Sequence, residues 1–463
     1  MERILFARIE LWVVALLAVL AVVGAILFGA VVLDEERGKE SLGTDHFGRL
    51  GDVALAIAEV PENARQTFKK IGKPDPTMMA LFPVKDASQP TGWDWQVPAG
   101  QNGLDGYLLL SRHDGDLRRH VIELVSLKTG EIVRQWQPDA EALLATVERR
   151  PQFEKTAQYQ HWNNGEYRFI HPYLTRDGQL VLRDHHSPLF LVSPCGDPVW
   201  HQDEHLFHHS TEPAPEGGFW MPSYYLPPEL SETSDEFVAD ALARVDMEGK
   251  VVFKQSAAEI FLSNGLQHLL FPASHFFEDP MHLNDIEPVP GDGPYWKAGD
   301  LFLSFRSPSL VMLYRPSTGR IIWQKAGPWI SQHDVDVIDD HRIAIFNNNA
   351  YDRGRGARVF GASETVIYDF DNGEVTSPFA ETFRKLGTAT ISEGLQSFTP
   401  SGHLIFEEEN RGRIFILDQS GNIVATFLNR ATNGEAYRLG WSRYIPQDHG
   451  EAALNAINGA NCE

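Results

Sequence analysis

Histidine recurs at one position of a small repeated pattern: a leading residue, a few residues, a tight turn built on Gly or paired polar residues, then an apolar strand. His171 leads TRDGQLVL, His209 leads APEGGFWM, His282 leads up to GDLFLSF and His333 leads IDDHRIAIF, while Gly394 holds the same place before PSGHLIF. If such units close into a ring, their leading side chains converge on its axis. Imidazoles gathered there supply nucleophiles when neutral, anion-binding charge when protonated, and metal ligands. Arg306 ends the strand that follows His282, and a guanidinium closing an apolar strand calls for an anion or a carboxylate. Asp184, His185, His186, His201, Asp203, Glu204, His205, His208 and His209 form a second dense run of N and O donors. No helix-borne H-E-x-x-H and no cysteine pair accompanies that run, so no metal and no cofactor is assigned.

The elements that must position these residues repeat as well. Hairpins of the form apolar run, Gly-containing turn, apolar run occur at Glu123–Trp136, Phe190–Trp200, Ala243–Phe253, Val311–Trp323, Val366–Val375 and Ile414–Phe427. Turn residues with positive φ between alternating strands specify hairpins. Each hairpin follows a strand of the first kind, with Asp105-Gly106-Tyr107 supplying the sixth of those. A four-stranded unit repeated about six times predicts an all-β fold, a six-bladed β-propeller over residues 91–446 with a tail at 447–463. Short helical insertions are expected at Asp139–Arg150 and within Tyr224–His275. A pair of β-sandwiches, or a seven- or eight-bladed ring with one degenerate blade, is the competing architecture.

Leu11 to Leu33 is about 23 residues without a charge, enough at 1.5 Å per residue for a hydrocarbon core of roughly 30 Å. It reads as a retained transmembrane helix. Arg3 and Arg8 precede it and an acidic run follows, which puts residues 1–10 in the cytoplasm and the main domain outside, in the periplasm of a Gram-negative cell. Residues 34–90 read as a juxtamembrane helical segment and linker, with a helical period over Gly48–Ile71 broken at Pro61. The formal net charge of -23 excludes nucleic acid as a partner. An anion must therefore be held by local Arg and His groups. The two cysteines, Cys195 and Cys462, are compatible with a bridge, but spacing does not show that they meet.

Three blocks carry a family resemblance: FHHSTEPAPEGGFWMPS; DPMHLNDIEPVPGDG with GDLFLSFRSPSLVMLYRPSTGRIIW; and WISQHDVDVIDDHRIAIFNNN. In order and spacing they resemble the signature blocks of the bacterial arylsulfate sulfotransferases. The resemblance implies a six-bladed propeller that moves a sulfuryl group from an aryl sulfate to a phenol through a sulfated histidine. It implies that His333 is the sulfated residue, that His282 and Arg306 hold the sulfate, and that His209 is the remaining histidine. Asn284, His208 and His171 are expected to bind substrate. Asp334 and Asp336, close behind His333, read first as exposed turn carboxylates, with orientation of His333 as the alternative. The chain differs from the family's soluble members in having an anchor where they have an N-terminal β domain. A non-catalytic, membrane-tethered propeller serving as scaffold or accessory subunit is the alternative, and a metal-dependent hydrolase the next. Membrane-protein partners and self-association stay open.

Overall fold

The computed structural model describes residues 10–40, 50, 53–54, 57–58, 79–84, 91–98, 100–151, 153, 156, 160–230, 233–272, 274 and 276–460. Most of the helical period read over Gly48–Ile71 lies outside these residues. The chain forms two units. In the N-terminal one, a helix spans Leu11–Glu40, and its segment Leu11–Val32 is long and apolar enough to cross a membrane.

The second unit is mainly β and propeller-like. Among the described residues, four separate antiparallel sheets have four or five strands, and a larger one has eight. The sheet of Leu283–Pro288, Leu301–Phe305, Leu310–Arg315 and Arg320–Ala326 shows how sequence builds them. Its central strands are buried on both faces, and alternate residues serve two different cores. Leu301, Leu303 and Phe305 pack with Ile260 and Phe261 of an insertion helix, whereas Phe302, Val311 and Leu313 pack with Val335 and Ile343 of the next sheet. Each such side chain contributes about 1.5–3 kcal/mol. The outer strand Arg320–Ala326 alternates instead between exposed and half-buried residues, because only one face meets protein.

All of the expected hairpins are antiparallel pairs. Both expected insertions contain helices, each with a side-chain cap: Asp139 Oδ1 accepts from the Ala142 amide at 3.0 Å ahead of Ala140–Leu144, and Ser256 Oγ accepts from Glu259 at 3.2 Å ahead of Ala257–Ser263.

Three expectations about the ends are corrected. Asp105-Gly106-Tyr107 does not open an innermost strand. Tyr107–Asp114 is flanked by Arg119–Ser126 on one side and by the C-terminal strand Arg443–Ile445 on the other, so the chain's end supplies the missing edge. Gly106 permits this approach: its φ is 76°, and a Cβ there would lie 2.6 Å from the Ile445 carbonyl oxygen. Within the expected linker, Ala80–Pro83 pairs with Glu435–Tyr437; Gly92–Trp95, at the start of the expected propeller, adds an edge to the sheet of Ile423–Leu428. The expected tail is largely a helix, Gln447–Gly459, which buries Gly450, Ala453 and Ile457 along one face. Their spacing of three and four is a helical stripe that a reading centred on strands passes over.

Gly450 yields a prediction of reversed sign. Gly→Ala inside a helix ordinarily stabilises by about 1 kcal/mol. Here the added Cβ would lie 2.2 Å from the buried Tyr107 ring, so Gly450→Ala is expected to destabilise by about 1–3 kcal/mol. Thermal unfolding of the variant, with a lower midpoint than the parent, checks this.

Candidate active site

The leading positions share a backbone kink. His171, His209 and His282 have φ of 46°, 58° and 53°, and Glu393 and Trp441 have 59° and 61°. In the segment of His333 the left-handed residue is the next one, Asp334, at 35°. Left-handed backbone costs an L-residue about 1–2 kcal/mol, so its recurrence at one register marks a shared structural demand. The leader expected at Gly394 is corrected to Glu393; Gly394 follows it because a Cβ there would lie 2.4 Å from the Phe346 ring. Trp441, which leads the C-terminal strand, was not singled out from the sequence. It is fully buried, with its ring 6.0 Å from His209, 6.2 Å from His333 and 5.7 Å from His171. Its offset ahead of SRYI matches that of the histidines, which is the signal that would have found it.

His209, His282 and His333 come together from three different sheets. Each offers one nitrogen, and these nitrogens all lie within 4.8 Å of one another. The hydrogen bonds fix their tautomers. Asn348 Nδ2 donates to the carbonyls of Thr390 (3.2 Å) and Glu393 (2.7 Å), so its Oδ1, 2.8 Å from His333 Nδ1, accepts a proton from that ring. His333 Nε2 accepts from the Glu393 amide at 3.1 Å. His208 Nε2 faces the Ser223 carbonyl at 3.3 Å and must donate, which leaves its Nδ1 to accept from His209 Nδ1 at 2.8 Å. His282 Nδ1 donates to Asp279 Oδ2 at 2.5 Å. Each of the three rings therefore turns an N–H outward to a fixed acceptor and carries its lone pair on Nε2.

Arg306 is half-buried. Its Nη2 donates to the Ile391 carbonyl at 3.5 Å, and its Nε has no hydrogen-bond partner among the described residues. Burial and the charge of Arg306 together lower the His333 pKa to about 3, keeping the ring neutral. Asn284 is buried, with Nδ2 donating to the Gln332 carbonyl at 2.7 Å and Oδ1 unpaired among the described residues. His185 joins the group from the side: its Nδ1 accepts from the His209 amide and its Nε2 donates to Glu393 Oε1 at 2.8 Å. The Glu393 carboxylate also meets Arg168 at 3.1 Å, and Arg168 reaches Glu409 at 3.2 Å.

A cavity of about 770 Å³ opens onto His209 and His282 and is walled by His186, His208, Tyr224 and Asp240. Tyr224 stacks on His208 at 4.2 Å and on His186 at 5.6 Å, which presents aromatic faces to this space. His171 lies elsewhere. Its Nδ1 accepts from the Thr211 amide at 3.1 Å, and it lines a second cavity of about 540 Å³ with Glu212, Asp334, Asp336 and Arg443. Asp334 and Asp336 make no hydrogen bond to His333 among the described residues. Asp334 accepts from the Gln396 amide, and burial raises both carboxyls well above the usual range, helped by the charge of Asp336 on Asp334 and by Glu287 and Glu212 on Asp336. Asn348 does the orienting instead.

The dense donor run divides. Asp184 accepts from His161 at 2.7 Å and from the Arg168 amide, while Asp203 pairs with Arg150, and His201 and His205 line an outer groove with Lys254. Four of its histidines reach the cluster, His185 and His186 from its start and His208 and His209 from its end. Cys195 is disulfide-bonded; the other cysteine of the sequence, Cys462, lies outside the described residues.

Neutral burial of His333 carries a pH dependence with a definite sign. An imidazole whose pKa falls on folding contributes stability that is whole above its ordinary value of 6.5 and is lost as pH drops towards about 3. Asp285, raised to about 7 by burial and by Glu212, runs the other way: its contribution is lost as pH rises from its ordinary value of 3.8 towards 7. That opposing effect is common to parent and His333→Gln and cancels in their difference. The stability gap between the two is therefore expected to narrow on acidification below about pH 6.5 in denaturant titrations. A gap independent of pH contradicts neutral burial.

Among solved structures, a protein of unknown function from Bacteroides caccae is similar at 10% identity and a TM-score of 0.45, covering 74% of this chain and 99% of that one. TolB from Acinetobacter baumannii is similar at 12% identity and a TM-score of 0.39, covering 73% and 65%. No curated protein matches the chain. The model of the arylsulfotransferase family matches residues 180–430. That match takes in more than half of the chain, with His209, His282, Arg306 and His333 all inside it, and the chain accordingly belongs to the arylsulfotransferase (ASST) family.

Proposed function

We propose that the chain is a membrane-anchored, extracytoplasmic sulfotransferase that moves a sulfuryl group from an aryl sulfate to a phenol through a sulfated His333. The observation that carries this reading is the approach of three imidazoles from three sheets to within 4.8 Å, beside a half-buried guanidinium with an unpaired N–H. In the first half-reaction the His333 Nε2 lone pair attacks sulfur, the N–S bond forms, and the S–O bond to the aryl group breaks with release of the phenolate. In the second, the acceptor's oxygen attacks sulfur, the S–N bond breaks, and its electron pair returns to Nε2. The first product leaves as the phenolate and takes its proton from solvent; in the second half-reaction the acceptor's proton goes to His282 Nε2, backed by the Asp279 carboxylate, and passes from there to solvent. Negative charge on the sulfuryl oxygens needs positioned cationic donors, a role assigned to Arg306, whose Nε–H has no partner among the described residues. The Glu393 amide occupies His333 Nε2 at rest, so attack requires this bond to be given up. Tyr224 and His208 offer the aromatic ring a stacking wall.

The six-bladed architecture belongs to the same proposal. The eight-stranded sheet is read as two blades, Tyr173–Phe207 and Glu212–Ser256, joined through the pairing of Phe207 with Ser223. The helix of Leu11–Val32 is read as the anchor, with the propeller on the far side of the membrane. Incubation of the purified protein with a chromogenic aryl sulfate and a phenol is expected to release the phenolate and form the new sulfate ester. Absence of both products rejects the reading.

A further inference from the structure

We propose that His209, His282 and His333 form a binding site for one borderline first-row divalent cation, with Zn²⁺ as its type, seated on their three Nε2 atoms. The hydrogen-bond network argues for it. The N–H groups that would hold an anion are all turned outward: His282 to Asp279, His333 to Asn348, and His209 to His208. What remains is one lone-pair nitrogen on each ring, and each ring brings a nitrogen to within 4.8 Å of those of the other two. Lone pairs facing each other repel, and a Lewis acid between them turns that repulsion into coordination. Zn–N bonds of about 2.0–2.1 Å in a tetrahedral site place the nitrogens about 3.3 Å apart, so the rings have to close by less than their own width.

The surroundings are those of an oriented ligand set. A carboxylate, an amide oxygen and an imidazole nitrogen accept from the outer N–H groups, fixing each ring's tautomer and raising the basicity of the nitrogen opposite. Nε2 of His209 and of His282 has no hydrogen-bond partner among the described residues. Nε2 of His333 must surrender the Glu393 amide. That amide belongs to a residue in left-handed backbone followed by Gly394 at φ 105°. Three imidazoles without thiolate favour Zn²⁺, Co²⁺, Ni²⁺ or Cu²⁺ over Ca²⁺ and Mg²⁺. The cavity beside His209 and His282 leaves a fourth position open. Two other groupings, Asp339-Asp340-His341 and His341-Asp369-Asp371, lie at the surface with exposed or half-exposed carboxylates and provide a control.

Because the cation would take the lone pair that attacks sulfur, it is a reversible inhibitor of transfer, a consequence that rests on the proposed sulfuryl reading. Binding does not rest on it. The test uses the purified full chain in detergent, stripped with chelator and titrated with Zn²⁺ and with Co²⁺. One equivalent of Zn²⁺ is expected, with the visible absorption of four-coordinate Co²⁺. His209→Ala and His282→Ala are expected to weaken binding by more than about 100-fold. Asp279→Asn keeps all three ligands and is expected to weaken it by about 10–100-fold, while His341→Ala leaves it unchanged. Circular dichroism melting checks that each variant is folded. No stoichiometric binding by the folded parent, or binding that survives His209→Ala and Asp279→Asn but is lost in His341→Ala, overturns the site. Turnover unaffected by saturating Zn²⁺ overturns the shared nitrogen. A chelated protein that never turns over but still binds Zn²⁺ at these residues rejects the sulfuryl reading and leaves the cation site standing.

Discussion

His333→Ala is expected to lower kcat for aryl sulfate turnover by at least about 10⁴-fold, the scale on which removal of a covalent nucleophile acts. KM is expected to change only a few-fold, because Arg306, His209, His282 and the Tyr224 wall are untouched by the truncation. Asn348→Ala is a milder companion. It removes the acceptor that fixes the His333 tautomer at 2.8 Å, so the ring is free to present the wrong nitrogen. His201→Ala, in the outer groove, leaves both constants unchanged. Stopped assays with a chromogenic sulfate give both parameters. A His333→Ala protein that is folded and turns over at the parent rate removes the nucleophile from the account.

Arg168→Ala is expected to cost about 3–5 kcal/mol of stability, because it strips the cation from buried carboxylates that were desolvated in its company. Arg168 is only 8% exposed and pairs with Glu393 and Glu409 at 3.1 and 3.2 Å. The burial that would lower its own pKa is outweighed by these carboxylates, whose charge holds the guanidinium cationic. The loss also reaches the site. Glu393 supplies the amide on His333 and the carboxylate on His185, so a displaced Glu393 disturbs both rings. Denaturant unfolding is the measurement, and a midpoint equal to the parent's contradicts the role given to Arg168. Replacing Glu393 and Glu409 by Gln in the Arg168→Ala background should recover part of the loss, since the stranded charges are then gone.

The sequence disclosed the hairpins because their chemistry is local. A Gly at positive φ between two apolar runs, as at Gly130, Gly319 or Gly421, needs no knowledge of the rest of the chain. The histidine leaders were legible for the same reason, each sitting at a fixed offset from its own turn. What stayed hidden depends on distant residues. Trp441 follows the last recognisable turn, and only the pairing of Arg443–Ile445 with Tyr107–Asp114 brings it to the cluster. Asn348 and Glu393 act on His333 from neighbouring segments, and nothing in NNN or SEG marks either as a partner of an imidazole. Asp334 and Asp336 were read as neighbours of His333 because they are close in sequence. Strand geometry turns successive side chains to opposite faces, and these two carboxylates line the other cavity. His171 is a similar case: it has the leader's offset and kink, yet its ring serves the carboxylate side.

The most direct measurement is the location of the sulfuryl group in enzyme exposed to an aryl sulfate without acceptor, quenched and digested for mass spectrometry. One added SO₃ is expected on the peptide that carries His333, lost when a phenol is supplied and absent from His333→Ala. A sulfated residue elsewhere, or steady turnover with no modified peptide at all, contradicts it.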